Sequence, residues 1–406
     1  MKMLIFSAYY TPEIAASLYL VEDMLKGFVG GGYHITIFVP TPTRGVSNKI
    51  RNSYKTKKNE ILYNGHLTVK RMSLYREGKN SILRAIRYLL MNFLFIWKSL
   101  FVKADLIFVQ STPPTQGMMA GLIKKIKKIP FVYNLQDIFP DSLVHTGLTC
   151  KGSLLWKIGR KIEDFTYRNA DKIIVISEDF KKNLLVKGVP GDKIVVVPNW
   201  VDTEDVYPIA RKDNVLIERY HLDPNKFYIT YSGNIGYTQN MDVLLDVAKE
   251  ISNADIRFIL IGEGAAKEEV ERRVREENIQ NIIMLPFQPY TDIAHVFSLG
   301  DAGLIISKPG VSNNSVPSKT WSIMAAERPI LASFDKDSEL CRLIEKVGCG
   351  VTVQAGDKEA LKAKIEELYS QKENQMGKKG REYLQTYLNK DKCVGMYVET
   401  LKSVCG

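Results

Sequence analysis

A lysine at the start of a predicted helix is the residue best placed for chemistry in this sequence. Pro317 and Ser318 are typical of a helix start, so Lys319 falls in the first turn of a helix predicted over 320–327. The helix dipole disfavours a cation there, and a bound anion would offset its charge. Two interpretations stay open: Lys319 holds a diphosphate, or its ammonium group extends into solvent.

A glycine loop offers a second place for an anion. The segment Gly-Asn-Ile-Gly at 233–236 follows a predicted strand and precedes a helix predicted from Met241. Glycines let backbone N–H groups approach a ligand, and a helix N-terminus attracts an anion. An ordinary strand-to-helix turn explains the same pattern. A diphosphate held jointly by this loop, Lys319 and the helix N-terminus would account for both features.

Carboxylates suited to acid–base chemistry follow predicted strands in the first half of the chain. Asp137 and Asp141 come after the strand predicted at 131–134, and Glu13 follows the first strand. Asp137 is the candidate for orienting or deprotonating an acceptor hydroxyl, and helix capping is the alternative for either aspartate. His, Asp and Glu do not group into a recognisable divalent-metal site, so we expect activity without a metal.

The elements that must position these residues alternate between short apolar strands and helices, which predicts an α/β fold with parallel sheets. The rhythm restarts after a polar stretch near residue 200. We therefore predict two Rossmann-like domains, at 1–198 and 199–385, and a last helix at 386–406 that crosses back to the first domain. Such sheets bind ligands at the carboxyl ends of their strands, so two facing domains would place these residues around one cleft.

Charge is distributed unevenly along the chain. The whole sequence has a net charge of +11, but residues 1–200 contain 30 Lys and Arg against 14 Asp and Glu, a net charge of +16. This excess suits an anionic membrane surface, and no nucleic-acid-binding motif accompanies it. The apolar stretch 82–101 is interrupted by Arg84, Arg87 and Lys98, which argues against a spanning helix. It is either an interfacial amphipathic helix or a core helix with exposed cations.

Cysteine usage gives no sign of a structural staple. The five cysteines are scattered without a Cys-x-x-Cys pair. Neither a disulfide framework nor a zinc site is indicated, and a reducing compartment fits best. The apolar start of the chain is too short for a secretory signal, so we expect a cytoplasmic protein.

Several segments together carry a family resemblance over essentially the whole chain. They resemble the retaining glycosyltransferases of family 4, which have the GT-B fold of two Rossmann-like domains facing across a cleft. The variant with Gly-Asn-Ile-Gly, Pro-Ser-Lys and Gln-Asp-Ile-Phe-Pro is most similar to bacterial transferases of O-antigen and capsule assembly, including those of the L-fucosamine transferase type. The segments are YYTPE at 9–13, GYHITI at 32–37, VPNWVD at 197–202, SGNIG at 232–236, IGEG at 261–264 and VPSKT at 316–320.

This resemblance implies a nucleotide-sugar donor, with uridine expected as the base, and no cofactor or obligatory metal. The acceptor implied is a lipid-linked or polysaccharide precursor, expected to be linked to undecaprenyl diphosphate, and the enzyme is expected to be peripheral on the inner face of the cell membrane. Asp137 and Lys319 are the catalytic candidates. The acceptor-binding candidates are Glu13, Gln136 and Asp137, and the donor-binding candidates are Gly233, Asn234, Gly236, Gln239, Asn314, Ser318, Lys319 and Glu339.

Departures from the family pattern concentrate on the donor side. The family's Glu-x7-Glu pair falls on Asn314 and Ser322, neither of which is acidic. The usual basic residues are replaced by Asn234 and Gln239, so most of the cationic contact would fall on Lys319. Gln136 stands where the family often has His.

Glu339 is expected to contact the ribose or sugar in place of the Glu pair, with helix capping as the alternative.

Three functional hypotheses follow from the sequence. The first is the glycosyltransferase. The two alternatives are a GT-B-shaped nucleotide-sugar 2-epimerase and a non-catalytic partner subunit, the latter motivated by the missing Glu pair.

Overall fold

The computed structural model describes residues 1–13, 18–78, 80–145, 149–311, 316–371 and 375–405 of the 406-residue chain. It divides into two compact units, one formed by Met1–Asn199 with Asp391–Gly406 and the other by Trp200–Lys390. From the sequence, the corresponding boundaries are predicted at 198/199 and 385/386. Each unit is built on its own sheet.

The first unit contains a sheet with strand order β3-β4-β2-β1-β5-β6-β7-β8. Its strands are parallel except β3, which pairs antiparallel to β4. The order reverses between β1 and β5, and in doubly wound sheets ligands bind beside that point, outside the carboxyl ends of the strands. The strands are β1 (Lys2–Phe6), β2 (His34–Pro40), β3 (Asn59–Leu62), β4 (Leu67–Met72), β5 (Leu106–Gln110), β6 (Phe131–Leu135), β7 (Lys172–Val175) and β8 (Ile194–Val196).

Helices of the first unit pack on both faces of this sheet, as parallel strands buried on two sides require. The last helix packs closely on the first, since a Cβ added at Gly27 would lie 2.0 Å from Val394 Cγ1. The helices are α1 (Leu18–Gly30), α2 (Asn48–Thr56), α3 (Ser81–Ser99), α4 (Thr115–Lys127), α5 (Asp141–His145), α6 (Leu154–Asn169), α7 (Glu178–Val186) and, at the end of the chain, α16 (Lys390–Cys405).

The second unit has a fully parallel sheet with strand order β11-β10-β9-β12-β13-β14. The strands are β9 (Phe227–Ser232), β10 (Ile256–Ile261), β11 (Ile282–Leu285), β12 (Ala302–Ile306), β13 (Ile330–Phe334) and β14 (Gly350–Gln354). The helices are α8 (Val215–Arg219), α9 (Met241–Glu250), α10 (Lys267–Glu276), α11 (Ile293–Phe297), α12 (Lys319–Ala325), α13 (Glu339–Val347), α14 (Lys358–Ser370) and α15 (Met376–Tyr387).

Candidate active site

Lys319 begins α12, next to the carboxyl end of β9. Its Nζ lies 3.6 Å from the centroid of the Tyr231 ring, in a cation–π contact. No carboxylate pairs with Lys319 among the residues that the structure describes. Burial around the ammonium group lowers the pKa of Lys319 to about 7. The Lys319 ammonium group is therefore held in place by an aromatic ring, and it has no carboxylate counter-ion in the described part of the chain.

Gly233 makes room for this lysine. A Cβ added at Gly233 would lie 2.9 Å from Lys319 Nζ and 3.2 Å from its Cε. The φ angle of Gly233 is +140°, which side chains rarely adopt. The Tyr231 hydroxyl donates to the Asn234 carbonyl at 2.5 Å and so fixes the ring beneath the ammonium group. The backbone conformation thus favours glycine here, and a Cβ would displace the end of the Lys319 side chain.

The glycine loop lies directly on the segment that follows β10. The Gly233 N–H donates to the Ile261 carbonyl and the Ile235 N–H to the Glu263 carbonyl, both at 2.9 Å. A Cβ at Gly262 would lie 1.9 Å from the Gly233 oxygen, so only glycine permits this contact. The IGEG segment at 261–264 therefore supports the SGNIG segment at 232–236.

In this structure the N–H groups of both glycines are engaged within the protein, and their approach to a ligand stays a prediction. Gly233 uses its N–H within the protein, and the Gly236 N–H donates to Gln239 Oε1 at 3.1 Å. Gln239 Oε1 also lies 3.4 Å from Asn234 Nδ2. The loop contributes space and a rigid support for Lys319, while the Asn234 side chain is exposed at its rim.

Other donor-side candidates lie around this centre or outside the described residues. The Lys308 N–H donates to the Thr238 carbonyl at 2.8 Å, which joins the loops after β12 and β9, and its side chain is exposed. Ser318 is exposed beside Lys319. Asn314 lies outside the described residues. The roles of Ser318 and Asn314 as donor ligands stay predictions.

Glu339 is the first residue of α13. The capping bond at this helix comes from Ser338, whose hydroxyl accepts from the Cys341 N–H at 3.3 Å. Ser338 thus fills the N-cap position, and Glu339 occupies the first helical position. The role of Glu339 on the sugar or ribose stays a prediction.

Glu13 has a structural position instead of an open one. Its side chain is buried and accepts from the Thr43 N–H at 2.7 Å, the Arg44 N–H at 2.9 Å and the Tyr10 N–H at 3.2 Å. These bonds tie the loop after β1 to the loop after β2. Contact between this carboxylate and an acceptor, as predicted from the sequence, would require several of them to break.

Gln136 and Asp137 lie at the carboxyl end of β6. Both ends of the Gln136 amide are engaged: Nε2 donates to Asn134 Oδ1 at 3.0 Å, and Oε1 accepts from Asn199 Nδ2 at 2.9 Å. Tyr397 of α16 donates its hydroxyl to Asn134 Oδ1 at 3.1 Å. Gln136 is thus a structural link in a chain of amides, and we expect it to act by position. Asp137 is exposed at the same strand end.

Asp141, the other aspartate after β6, begins the short helix α5 and pairs with Lys187 at 2.7 Å. Lys187 also contacts the buried Glu163 at 2.9 Å. This network leaves Asp137 as the more accessible carboxylate of the two. Within the described ranges, no three His, Cys, Asp or Glu side chains are grouped as a metal site requires.

Family models match both halves of the chain. The model described as Glycosyltransferase Family 4 matches residues 19–205, and the model described as Glycosyl transferases group 1 matches residues 213–383. The chain belongs to the family 4 glycosyltransferases. The matched segments include the loops that carry Lys319, Gly233 and Asp137.

Relatives of this family 4 glycosyltransferase extend over most of its length. WcaI of Escherichia coli strain K12, described as a colanic acid biosynthesis glycosyl transferase, is 25% identical over 99% of this chain and 100% of its own. WbjE of Pseudomonas aeruginosa, described as a glycosyltransferase, is 27% identical over 72% of this chain and 74% of its own. Nothing in these relatives supports the epimerase alternative.

Solved structures show the same fold. HepE of Anabaena, solved with UDP and glucose, matches with a TM-score of 0.73 at 16% identity over 99% of this chain and 100% of its own. Sucrose-phosphate synthase of Thermosynechococcus elongatus matches with a TM-score of 0.74 at 14% identity over 99% of this chain and 98% of its own. The chain therefore has the GT-B fold.

Proposed function

We propose that this glycosyltransferase moves a sugar from a nucleoside diphosphate donor, with uridine as the base, to a lipid-linked acceptor in the assembly of a bacterial surface polysaccharide such as O-antigen or capsule. The observation that carries the proposal is the Lys319 ammonium group, which lies on Tyr231 beside Gly233 and has no carboxylate partner in the described part of the chain. The names of WcaI and WbjE support the polysaccharide assignment, and the UDP in the HepE structure supports the donor.

Lys319 would act on the leaving group. When the bond between the anomeric carbon and the donor phosphate breaks, negative charge grows on the nucleoside diphosphate, and a cation already in place stabilises that charge. A nearby diphosphate would also favour the charged form of Lys319 and so raise its lowered pKa.

Asp137 would act on the acceptor. Its carboxylate is exposed at the carboxyl end of β6, where doubly wound sheets bind ligands. In the proposed reaction the acceptor hydroxyl attacks from the face that the diphosphate leaves, so the anomeric configuration is retained. The hydroxyl proton passes to Asp137 or to a diphosphate oxygen.

A peripheral position on the inner face of the cell membrane is part of the proposal. One side of α3 is exposed and strongly apolar. Together with the +16 charge of residues 1–200, this surface suits anionic headgroups. The exposed apolar residues of α3 and its C-terminal end are Ile82, Leu83, Ile86, Leu89, Leu90, Phe93, Trp97, Leu100 and Phe101. Among the described helices, none is both long and apolar enough to cross a membrane.

The test is incubation of the purified protein with labelled nucleotide sugars, with and without membrane lipid carrying polyprenyl-diphosphate-linked acceptor. We expect label in the lipid only when the acceptor is present. The transferred sugar should keep the anomeric configuration that it has in the donor. Conversion of the free donor to an epimer without acceptor would favour the epimerase. Donor binding without any turnover would favour the partner subunit.

A further inference from the structure

Arginines gather where β1, β2 and β4 end in the first unit. Arg44 and Arg51 follow β2, Arg76 follows β4, and Arg87 lies in the second turn of α3. This is the carboxyl edge of the sheet, near the point between β1 and β5 where the strand order reverses. Neither the mechanism above nor the residues predicted from the sequence use this group.

Arg87 is fully buried with part of its guanidinium unused. Its Nε donates to the Tyr75 carbonyl at 3.1 Å. Its Nη1 lies 3.8 Å from Glu77 Oε2, which is beyond hydrogen-bond distance. Both terminal nitrogens lack a hydrogen-bond acceptor among the described residues. A buried charged donor without an acceptor is costly, so the position favours an additional anion.

Neighbouring arginines increase the need for that anion. Burial lowers the pKa of Arg51, and the positive charges of Arg87 and Arg76 lower it further. Arg51 itself donates to the carbonyls of Pro42 and Leu74, both at 2.7 Å, and so holds the two loops together. Arg76 is exposed at the edge of the same group. Its Nη1 donates to Asn48 Oδ1 at 2.8 Å. Arg51 is thus repelled by two neighbouring guanidinium groups, and a bound anion beside them would relieve that repulsion.

The Glu77 carboxylate marks where an anion fits. Its oxygens lie 3.1 Å from the Tyr9 hydroxyl and 3.2 Å from the Tyr88 hydroxyl, and Arg87 Nη1 lies 3.8 Å away. The two hydroxyls also share a hydrogen bond at 2.8 Å. Two tyrosine hydroxyls and a guanidinium therefore already converge on one acidic group. A phosphoryl group carries more oxygens and more charge than a carboxylate, so it can also reach the donors of Arg87 that Glu77 leaves unused.

The helix that carries Arg87, α3, also has an apolar surface next to these polar groups. Arg87 and Tyr88 point into the unit, whereas Leu89, Leu90 and Phe93 are exposed on the next turn. A ligand with a phosphoryl head and a hydrocarbon chain would satisfy both surfaces, while a free phosphate would use only one of them.

We infer that Arg76, Arg87, Tyr9 and Tyr88 bind the phosphoryl group of an amphiphilic acceptor whose hydrocarbon chain lies along the exposed side of α3. The inference rests on the proposed function in taking the acceptor to be a lipid. In the free chain the Glu77 carboxylate holds the phosphoryl position, and it moves aside when the acceptor binds.

The test uses farnesyl diphosphate as a short-chain probe, titrated into the full-length protein by calorimetry with UDP present at saturation to block the donor site. We expect the probe to bind at least tenfold more tightly than inorganic pyrophosphate. Arg87→Gln and Arg76→Gln should each weaken binding about tenfold or more, as loss of a charge-assisted hydrogen bond predicts. Lys98→Gln, which removes an exposed cation about 16 Å along the same helix, is the matched control and should leave affinity unchanged.

The direction of the affinity change in Glu77→Gln decides between the two roles of Glu77. This substitution keeps an acceptor for the tyrosine hydroxyls but removes the competing charge, so the probe should bind more tightly, whereas a purely structural Glu77 predicts weaker binding. Equal affinity for pyrophosphate and the probe, or unchanged binding in Arg76→Gln, would overturn the inference. Since Arg76 is exposed, that variant is not expected to unfold. UDP binding distinguishes failure of the proposed function from failure of this site. If the unmodified protein does not bind UDP, the proposed function is contradicted. If it binds UDP but not the probe, only the phosphoryl site is contradicted.

Discussion

At the scale of single residues, the contact between Lys319 and Tyr231 combines two opposing effects. The ring attracts the cation, with Nζ 3.6 Å from the ring centroid, while burial disfavours the charge and lowers the pKa to about 7. A donor diphosphate shifts this balance toward the charged form. The residue is therefore suited to respond to a ligand more than to stabilise the free protein.

Removal of the Lys319 charge should reduce catalysis much more than stability. For Lys319→Met, which keeps a straight side chain beside Gly233, we expect turnover to fall about a hundred- to a thousandfold, the usual effect of losing one charged contact to a developing anion. The melting temperature should stay the same or rise, because a partly buried charge is removed. Rates with the labelled donor and thermal unfolding check both. Exposed Lys308→Met is the control, and near-normal turnover of Lys319→Met would place the diphosphate elsewhere.

Donor affinity should also depend on pH. Since Lys319 in the free protein has a pKa of about 7, it is charged below that pH and mostly neutral above it. A diphosphate binds the charged form, so binding takes up a proton above pH 7 and the apparent Kd should weaken by up to about tenfold per pH unit. Calorimetric titration with UDP between pH 6.5 and 8.5, in two buffers of different ionisation enthalpy, measures Kd and proton uptake. A flat Kd without proton uptake would contradict the assignment, and Lys319→Met should abolish the pH dependence.

The same pKa sets the sign of a stability effect. In the unfolded chain a lysine titrates near its ordinary value of 10.5, so between about pH 7 and that value the unfolded state binds the extra proton. The contribution of Lys319 to the free energy of unfolding therefore rises with pH over this range. Below about pH 7 both states are protonated, and the cost of burying the charge is fully present.

Single-residue predictions from the sequence succeeded where a local pattern carried the signal. Pro317 and Ser318 placed Lys319 at a helix start, and α12 begins at Lys319. Tyr231 was not singled out because its contact with Lys319 joins residues 88 positions apart, which no local pattern encodes. In the sequence Arg87 is only an interruption of an apolar stretch, because its burial depends on Tyr75 and Glu77 from the preceding loop.

At the scale of elements, regular strands were predictable and irregular ones were not. The continuous apolar runs at 302–306 and 282–285 predict buried parallel strands, and these coincide with β12 and β11. Strands β3 and β4 were missed. In β4, Lys70 and Arg71 interrupt the apolar pattern. The buried Arg71 lies 4.4 Å from the Tyr54 ring centroid, donates to the Thr11 carbonyl and pairs with Glu60 of β3 at 3.4 Å, contacts that no local pattern encodes.

Helix α16 provides a test of how one element positions another. The Tyr397 hydroxyl bonds Asn134 Oδ1, which also accepts from Gln136 beside Asp137. Tyr397→Phe should lower the free energy of unfolding by about 1 kcal/mol, the usual net value of one hydrogen bond. If the network orients the Asp137 loop, the KM for the acceptor should rise while donor affinity stays constant. Denaturant unfolding and steady-state kinetics check this, with exposed Tyr207→Phe as control. An unchanged acceptor KM would show that the network is only structural.

At the scale of the whole molecule, the two units have different chemical character. Residues 1–200 have a net charge of +16, whereas residues 201–406 have 26 Lys and Arg against 31 Asp and Glu, a net charge of −5. The apolar side of α3 belongs to the basic unit. Attraction to anionic lipid and burial of apolar side chains therefore act on the same part of the chain, and salt distinguishes them because it screens only the first.

Vesicle sedimentation should separate these two contributions. The full-length protein is expected to bind anionic vesicles at low salt and to be largely released at about 0.5 M salt, where the screening length is only a few ångströms. Phe93→Ser with Trp97→Ser should weaken binding even at low salt, because both side chains are more than half exposed on α3 and would enter the headgroup layer. Phe287→Ser in the second unit removes a similarly exposed ring, 65% exposed, and should have no effect. If the double variant binds as well as the unmodified protein, only electrostatic attraction is left to explain binding. If the unmodified protein does not bind at low salt, the membrane-surface proposal is refuted.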